Sequence, residues 1–178
     1  MPAVGKTTVS KLVADSLGVS MLGGGDVLKE MAVEEGYTPG GEDWWDRGEG
    51  MKFLRQRKRS SDFDREVDAR LMQKAKRGNL VITSYPLPWL TEDGFRVWLS
   101  GNVKSRAARM GKRDRLPVSK CLAVLSIRDT ENYKLYKEIY GIEFGRDLKP
   151  FDLVVDTDSV NESRVAEIIL RYVKSRRD

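Results

Sequence analysis

The sequence predicts an α/β fold in which a mainly parallel sheet is flanked by helices. Short apolar runs alternate with amphipathic segments along the 178 residues, a pattern typical of parallel sheets. The tetrapeptide Gly5-Lys6-Thr7-Thr8 stands directly before a predicted helix, as in loops that bind phosphate. The length suits one domain with a hydrophobic core of its own.

The individual elements are predicted from apolar periodicity and from the residues that start and stop helices. Gly18 and Gly36 each end an amphipathic segment, and apolar side chains recur every four residues across 63–75. Ser159 and Glu162 have the spacing of a capping box for the last helix. In chain order the sequence predicts helix 7–17, strand 19–22, helix 26–35, helix 62–77, strand 80–83, strand 96–99, a helical region 104–140 broken near Leu116-Pro117, strand 153–156 and the last helix.

The composition excludes several classes of site. The chain has no histidine, which removes Ser-His-Asp and Cys-His triads and histidine-ligated metals. Its single cysteine, Cys121, excludes internal disulfides and is expected to pack as a small apolar residue. No apolar run reaches the roughly 20 residues of a membrane span, and no signal-peptide pattern opens the chain. We therefore expect a cytoplasmic protein without membrane partners.

The net charge of +5 is concentrated in two segments. Residues 104–115 hold six basic residues and one acid, and residues 52–59 hold five basic residues and no acid. Each segment carries +5, so the rest of the chain sums to −5. Two local patches favour an anionic ligand held at defined places, and nucleic acid and phosphate esters both fit the charge alone. A solvated helix face is the alternative, and for 52–59 it is the favoured one.

The Gly5-Lys6-Thr7-Thr8 segment has the chemistry of the second half of a Walker A loop. Backbone N–H groups at the start of a helix surround phosphates, Lys6 supplies a cation to the transferred phosphoryl, and the Thr7 hydroxyl is suited to ligate Mg²⁺. The phosphate-binding residues predicted here are Val4, Gly5, Lys6, Thr7 and Thr8. These residues predict a P-loop NTPase with the three-layer α/β fold, using ATP with Mg²⁺.

The first half of the Walker A pattern is not in the chain. The pattern needs a glycine five residues before Gly5, just before Met1, with an apolar strand in front of it. In P-loop folds this strand lies inside the sheet, so without it both neighbouring strands would have unpaired backbone groups. We therefore expect Met1 to be an internal methionine, and an extended version to carry a β-rich apolar run that ends in glycine.

From Gly5 nearly to the C-terminus the order of motifs resembles the nucleoside monophosphate kinases, and most of all the archaeal-type cytidylate kinases. The loop alone is shared by a whole superfamily, whereas the tyrosine-rich segment and the FDLVVDT strand are more specific. The motifs that carry the resemblance are Gly25-Asp26-Val27-Leu28-Lys29-Glu30, Asp64-Arg65-Glu66-Val67-Asp68, Gly78-Asn79-Leu80-Val81-Ile82, Val97-Trp98-Leu99, Arg106-Ala107-Ala108-Arg109, Tyr136-Lys137-Glu138-Ile139-Tyr140-Gly141-Ile142 and Phe151-Asp152-Leu153-Val154-Val155-Asp156-Thr157.

The resemblance implies three parts of one kinase domain. A P-loop core would carry a nucleoside-monophosphate-binding insertion at residues 26–77 and a helical lid at residues 111–147. The implied reaction is transfer of the ATP γ-phosphoryl to CMP or dCMP, which depends on positioning and positive charge more than on covalent help. ATP and a nucleoside monophosphate are therefore the expected partners, Mg²⁺ the expected cofactor, and a monomer the expected state.

The resemblance also assigns roles to basic residues. Arg106 and Arg109 match a pair near the ATP adenine and phosphates. Arg113 and Arg128, with Arg115, are candidates for lid residues that neutralise charge on the transferred group. A solvated helix face is the alternative for each of these arginines.

Three further residues match the substrate side of the family. Arg65 and Lys29 match positions that hold the monophosphate. Asp26 either contacts the nucleotide or caps its own helix.

Three departures from the family pattern bear on the acceptor. Where the family has an arginine after the third strand, this chain has Thr83-Ser84-Tyr85. Where the family has an arginine before the lid tyrosine, this chain has Leu135. At a third position the family has an arginine and this chain has Lys29, which lacks the planar two-pronged donor of a guanidinium group. Either residues 52–59 supply replacements, or the acceptor differs from CMP, or the protein is catalytically weak.

Several alternatives stay open at this point. Trp44, Trp45 and Trp89 either stack on a base or close a small core, and core packing is the favoured hypothesis. The function is a cytidylate-type kinase, a P-loop kinase for another small acceptor or base, or a nucleotide- or RNA-binding relative with weak turnover. Nucleic acid is the less expected partner, and a G protein is disfavoured because the chain has no Asn-Lys-x-Asp motif.

Overall fold

The computed structural model describes residues 1–40, 52–53 and 61–176. The described helices are α1 (Lys6–Leu17), α2 (Gly24–Glu34), α3 (Ser61–Ala75), α4 (Leu87–Leu90), α5 (Val103–Asp114), α6 (Val118–Tyr140) and α7 (Glu162–Ser175). The described strands are β1 (Ser20–Gly23), β2 (Leu80–Thr83), β3 (Val97–Ser100) and β4 (Leu153–Asp156). Every predicted element is present with ends within two residues of the prediction, and the short α4 is additional.

The four strands form two separate parallel pairs. β1 pairs with β2 from Ser20 opposite Leu80, and β3 pairs with β4 from Val97 opposite Leu153. No ladder joins β2 to β3 within the described part of the chain. The predicted parallel direction is therefore confirmed.

Helices cover both faces of the strands, which gives three layers. In β3, Leu99 lies in a core with α1 and α7, whereas its neighbour Trp98 lies in an aromatic cluster with Tyr136 of α6. In β2, Val81 packs toward the first of these cores and Ile82 packs toward a core built by α2 and α3. Successive side chains of a strand point to opposite faces, so each of these strands joins two cores.

The start of α1 depends on a backbone conformation that favours glycine. Gly5 has a φ of +89°, in the left-handed region, directly before the first helical residue Lys6. At the other end Gly18 has a φ of +65°, and its N–H donates to the last carbonyl groups of the helix. These two glycines set the length of α1 and fix where its N-terminus lies.

The long helical region breaks where Leu116-Pro117 predicts it. α5 ends at Asp114, Arg115 adopts a φ of +55°, and α6 begins after Pro117. Gly111 permits the tight return because an added Cβ would lie 2.8 Å from the Leu116 carbonyl oxygen. Cys121 is buried in the core between the two helices, so its predicted packing as a small apolar residue is confirmed.

The predicted capping box of α7 is wrong. Asn161 is the N-cap, and its side-chain oxygen accepts a hydrogen bond from the Arg164 N–H at 2.9 Å. Because the helix begins at Glu162, Ser159 lies two residues too early to act as the cap. Serine and asparagine cap equally well, so only the position at which the helix starts decides between them.

Some predicted features lie outside the described residues. They include Trp44, Trp45 and nearly all of the basic segment 52–59, so the roles proposed for them stay predictions. Trp89 is described, and it lies in the aromatic cluster with its indole N–H donating to the Asp147 carbonyl oxygen at 3.1 Å. No described helix combines the length and the apolarity that crossing a bilayer requires.

Replacing Asn161 with alanine is expected to lower the free energy of unfolding by about 1 kcal/mol, because the Arg164 N–H would lose its acceptor. Ser159→Ala is the matched control. It is expected to change the free energy of unfolding by less than about 0.5 kcal/mol, because Ser159 is exposed and lies outside the cap. Urea unfolding followed by circular dichroism measures both variants. An equal loss of unfolding free energy in the two variants would show that Ser159 contributes to the cap.

Candidate active site

A large cavity lies at the carboxyl ends of β1 and β2. Its volume is about 990 Å³. Its wall is formed by the first turn of α1, the turns that follow β1 and β2, one side of α3, and parts of α5 and α6. Crevices at the carboxyl ends of parallel strands are where open α/β sheets bind their ligands. The volume is in the range of small-molecule and cofactor sites.

One end of this cavity, named the phosphate end, is the N-terminus of α1. The first bond inside the helix runs from the Val9 N–H to the Gly5 carbonyl oxygen at 3.0 Å. The N–H groups of Lys6, Thr7 and Thr8 therefore have no acceptor within the helix, and all three residues line the cavity. Together with the helix dipole, these N–H groups make a site for an anion.

Lys6 is the cation at the phosphate end. Its Nζ donates to the Met1 carbonyl oxygen at 2.7 Å and lies 4.7 Å from the centroid of the Tyr85 ring. Burial, with a further contribution from the charges of Arg128 and Arg106, lowers the pKa of Lys6 from 10.5 to about 8. A bound phosphate would offset these effects, so an anionic ligand would raise the pKa of Lys6 again.

Three of the predicted arginines line the cavity from α5 and α6, namely Arg109, Arg113 and Arg128. Arg109 donates to the Thr157 hydroxyl at 3.1 Å and to the Thr157 carbonyl oxygen at 2.5 Å. Arg113 is exposed and donates to the Asp114 carboxylate at 2.6 and 2.8 Å. Arg109 is thus held in the wall, whereas Arg113 and Arg128 are exposed cations at the rim.

Arg106 occupies a different kind of position. It is 3% exposed, does not line the cavity, and donates to the Asp129 carboxylate at 2.7 and 3.1 Å. It also donates to the carbonyl oxygens of Gly101 at 3.1 Å and of Pro2 at 3.4 Å. Arg106 therefore holds the backbone before α1 in place through the Pro2 carbonyl oxygen. A contact of Arg106 with ATP stays a prediction.

A second part of the cavity wall, named the acidic end, combines carboxylates of α3 with an apolar surface. Asp64 and Asp68 lie one turn apart on α3 and line this end together with Val67 and Leu71. Asp68 is buried and accepts a hydrogen bond from the Tyr140 hydroxyl at 2.9 Å. Burial and this hydrogen bond raise the pKa of Tyr140. The acidic end therefore presents hydrogen-bond acceptors beside a surface on which a flat ring can pack.

The predicted substrate residues lie outside the cavity wall in this structure. The Asp26 carboxylate accepts the Gly23 N–H at 2.7 Å, which is a capping contact at the start of α2. Arg65 donates to the Ile139 carbonyl oxygen at 3.0 Å. Lys29 is half-buried outside the wall. Contacts of Asp26, Lys29 and Arg65 with a monophosphate stay predictions.

The cavity also contains residues that the sequence analysis did not single out for the site. A signal existed for Asp64 and Asp68, because two carboxylates four residues apart flank the apolar stripe of their helix. The tyrosines of the cavity wall carry no such signal in the sequence, because tyrosines that pack in a core have the same spacing along the chain. The added polar and aromatic residues include Asp64, Asp68, Tyr85, Lys112, Tyr136 and Glu162.

Thr7 is the protein ligand that Mg²⁺ would take here. Its hydroxyl is exposed in the first turn of α1, and Mg²⁺ prefers oxygen ligands that it shares with substrate phosphates. Residues 1–40, 52–53 and 61–176 contain no group of three or more His, Cys, Asp or Glu side chains that could hold a metal. The site thus fits an ion that arrives with a nucleotide. Val4, the remaining predicted loop residue, is buried beneath the loop and outside the cavity wall.

Comparison with known proteins identifies the relatives of this chain. The model of the cytidylate kinase-like family matches residues 2–159. The chain belongs to this family. It is similar to the cytidylate kinase of Halorubrum lacusprofundi, with 31% identity over 175 residues that cover 97% of this chain and 85% of that protein. The cytidylate kinase of Methanococcus vannielii is 28% identical over 179 residues, which cover 98% of this chain and 96% of that protein.

Solved structures share the fold of this cytidylate kinase-like chain. An uncharacterised protein from Eubacterium ventriosum matches with a TM-score of 0.66 and 12% identity, covering 97% of this chain and 93% of its own. Shikimate kinase from Acinetobacter baumannii matches with a TM-score of 0.54 and 19% identity, and the match covers 98% of this chain and 90% of that chain. At these identities the likeness establishes the fold alone. It confirms the predicted α/β fold of the P-loop kinases.

The affinity for ATP is expected to fall as the pH rises above the pKa of Lys6. Without ligand Lys6 loses its proton near pH 8, whereas bound phosphates favour the charged form, so binding takes up a proton at higher pH. The Kd for ATP with Mg²⁺ should increase about tenfold between pH 7.5 and 9.5, as measured by isothermal titration calorimetry. In Lys6→Arg the Kd should stay nearly constant, because arginine remains charged. An equal pH dependence in both proteins would assign the proton to another group.

Proposed function

We propose that this protein transfers the γ-phosphoryl group of ATP to CMP or dCMP. Membership of the cytidylate kinase-like family makes it a nucleoside monophosphate kinase. The cytidylate acceptor and the roles of single residues are the proposal. The observation that supports it most is that one cavity is lined both by the start of α1, with Lys6 and its N–H groups, and by the carboxylates and apolar side chains of α3.

The phosphate end has the groups that phosphoryl transfer needs. N–H groups at the start of α1 and the Lys6 ammonium would hold the ATP phosphates. The Thr7 hydroxyl would hold Mg²⁺, which would supply positive charge to the phosphates. Arg113 and Arg128 would add positive charge at the rim when the transferred group develops negative charge. Both are exposed, so movement of the α5–α6 region could bring them inward without breaking a core.

The acidic end suits a base that carries an amino group. Cytosine presents the hydrogens of its exocyclic amine, whereas a uracil-type base presents an oxygen at the same place. Asp64 or Asp68 would accept from the amine and would repel the oxygen. Val67 and Leu71 would pack against the flat ring. The carboxylates therefore favour CMP over UMP.

A second candidate is a P-loop kinase for another acceptor. The lack of arginines on the substrate side favours it. The turn after β2 lines the cavity as Thr83-Ser84-Tyr85, and within the described ranges the acidic end has no arginine in its wall. A dianionic phosphate normally needs such a donor. Residues 52–59, which could supply one, are mostly outside the described part. The insertion at 26–77, the lid at 111–147, the monomeric state and the cytoplasmic location likewise stay proposals.

A panel of acceptors tests the proposed function. Coupled ADP release with ATP and Mg²⁺ is measured for CMP, dCMP, UMP, AMP and GMP. CMP and dCMP are expected to give the highest kcat/KM, with UMP at least about tenfold lower, because a missing hydrogen bond at a polar site is costly. Turnover with a different acceptor alone would establish the second candidate. Absence of acceptor-dependent turnover combined with salt-sensitive RNA binding would establish a binding protein instead.

Replacing Lys6 with alanine is expected to lower kcat at least about 100-fold, because the developing phosphoryl charge loses its nearest cation. Lys11→Ala is the matched control, since Lys11 is an exposed lysine on the same helix and lies outside the cavity wall. It should keep its activity within about twofold. Steady-state kinetics of both variants with the best acceptor makes the comparison. Activity of Lys6→Ala equal to that of Lys11→Ala would move the phosphate site elsewhere.

A further inference from the structure

Tyr85 occupies a fixed position in the wall of the cavity. It follows the end of β2 by two residues and lines the cavity. Its ring packs edge-on against the ring of Phe144, with the centroids 5.6 Å apart, and lies 6.2 Å from the ring of Tyr136 on α6. Phe144 and Tyr136 are both buried. Because a tyrosine has only two side-chain torsions, these contacts fix the direction in which its hydroxyl points.

The ring of Tyr85 contacts the cation of the phosphate end. The Lys6 ammonium lies over this ring, 4.7 Å from its centroid, and donates to the Met1 carbonyl oxygen at 2.7 Å. The electron-rich face of an aromatic ring attracts a cation, so the ring and the carbonyl together set the direction of the ammonium. An ammonium has three N–H donors and can keep both contacts while it donates to a phosphate oxygen.

The hydroxyl of Tyr85 has a second cation, Arg128, as its neighbour. Burial raises the pKa of this hydroxyl above its ordinary value of 10.0, whereas the charge of Arg128 and a hydrogen bond with its guanidinium lower it. The charge of Arg128 also contributes to the lowered pKa of Lys6. Lys6, Tyr85 and Arg128 therefore form one group in the cavity wall, although they come from α1, the turn after β2 and α6.

The direction of this hydrogen bond leaves the O–H of Tyr85 as a donor. A guanidinium only donates, so the Tyr85 oxygen accepts from Arg128 and its own proton can be donated elsewhere. The raised pKa keeps that proton in place at neutral pH. A phosphate group held between Lys6 and Arg128 would lie against the Tyr85 hydroxyl, because one cation is over the ring and the other is beside the oxygen.

We propose that Tyr85 is a catalytic residue, whose hydroxyl donates a hydrogen bond to an oxygen of the phosphoryl group during its transfer while the ring directs the Lys6 ammonium toward the same group. The hydroxyl keeps its proton throughout. The bond that breaks joins the γ-phosphorus to the bridging oxygen of ATP, and the bond that forms joins this phosphorus to the acceptor oxygen. The inference rests on the phosphoryl transfer given under the proposed function, and it holds for any base in the acceptor.

Tyr85→Phe tests the proposal, because it removes the hydroxyl and keeps the ring beside Lys6. With the best acceptor of the panel, kcat should fall at least about tenfold, while the Kd for ATP with Mg²⁺ in isothermal titration calorimetry stays within about twofold. Tyr172→Phe is the matched control, since its hydroxyl also accepts from an arginine, Arg176, but lies on α7 outside the cavity wall. It should leave both values within about twofold. An unchanged kcat in Tyr85→Phe, or a loss that appears only in the Kd for ATP, would overturn the proposal.

A double-mutant cycle tests whether the hydroxyl and Arg128 act together. Groups that act as a unit are not additive, so Tyr85→Phe should lower kcat by less than about threefold further when Arg128 is already alanine. Arg113→Ala gives the matched background, because Arg113 also lies at the rim but is bonded to Asp114. There Tyr85→Phe should keep its full effect of about tenfold. Equal effects of Tyr85→Phe in the two backgrounds would overturn the joint action.

Binding of a mimic of the transferred group separates a catalytic role from a structural one. ADP with aluminium fluoride, Mg²⁺ and the acceptor supplies such a mimic, and Tyr85→Phe should weaken its binding at least about tenfold with Tm within about 2 °C of the unsubstituted protein. A lower Tm together with unweakened binding of the mimic would overturn the proposal. If the unsubstituted protein turns over no acceptor, the proposed function and this inference both fail. If it turns over an acceptor and Tyr85→Phe does so equally well, only this inference fails.

Discussion

A single buried guanidinium, that of Arg106, joins the segments that surround the phosphate end of the cavity. It bonds to Pro2 before α1, to Gly101 after β3 and to Asp129 on α6. A buried charge is tolerated only when a partner and good acceptors surround it, so these three segments can adopt only a narrow range of relative positions. The start of α1, with Lys6 and its N–H groups, is placed by this constraint. Arg106 thus fixes the position of the backbone before α1, and its charge helps to lower the pKa of Lys6.

The cavity wall carries both signs of charge, with cations on α1, α5 and α6 and two carboxylates on α3. Lysine and arginine side chains line it from α1, α5 and α6, Asp64 and Asp68 line it from α3, and Glu162 lies beside Gly5. A ligand that is anionic on one side and a hydrogen-bond donor on the other would be oriented by the protein field alone. For phosphoryl transfer, orientation of this kind supplies much of the catalysis.

The backbone before α1 contacts the same region through the aromatic cluster. The Met1 carbonyl oxygen accepts a hydrogen bond from the Lys6 ammonium at 2.7 Å, and the Met1 side chain packs with the cluster that contains Tyr85 and Trp98. The Lys6 ammonium also lies 4.7 Å from the centroid of the Tyr85 ring. The position of the Lys6 cation therefore depends on this cluster as well as on the bonds from Arg106.

The sequence by itself determined the local features of this protein. The loop around Lys6 and strands 80–83 and 153–156 follow from patterns within a few residues, and the structure has both strands at the predicted bounds. Only tertiary structure decided between candidates that are locally equal. It selected Asn161 over Ser159 as a cap, joined Arg106 to Asp129 and turned the carboxylates of α3 into the cavity. The physical reason is that backbone preferences act over one or two turns, whereas pairing and burial depend on which distant segments pack together.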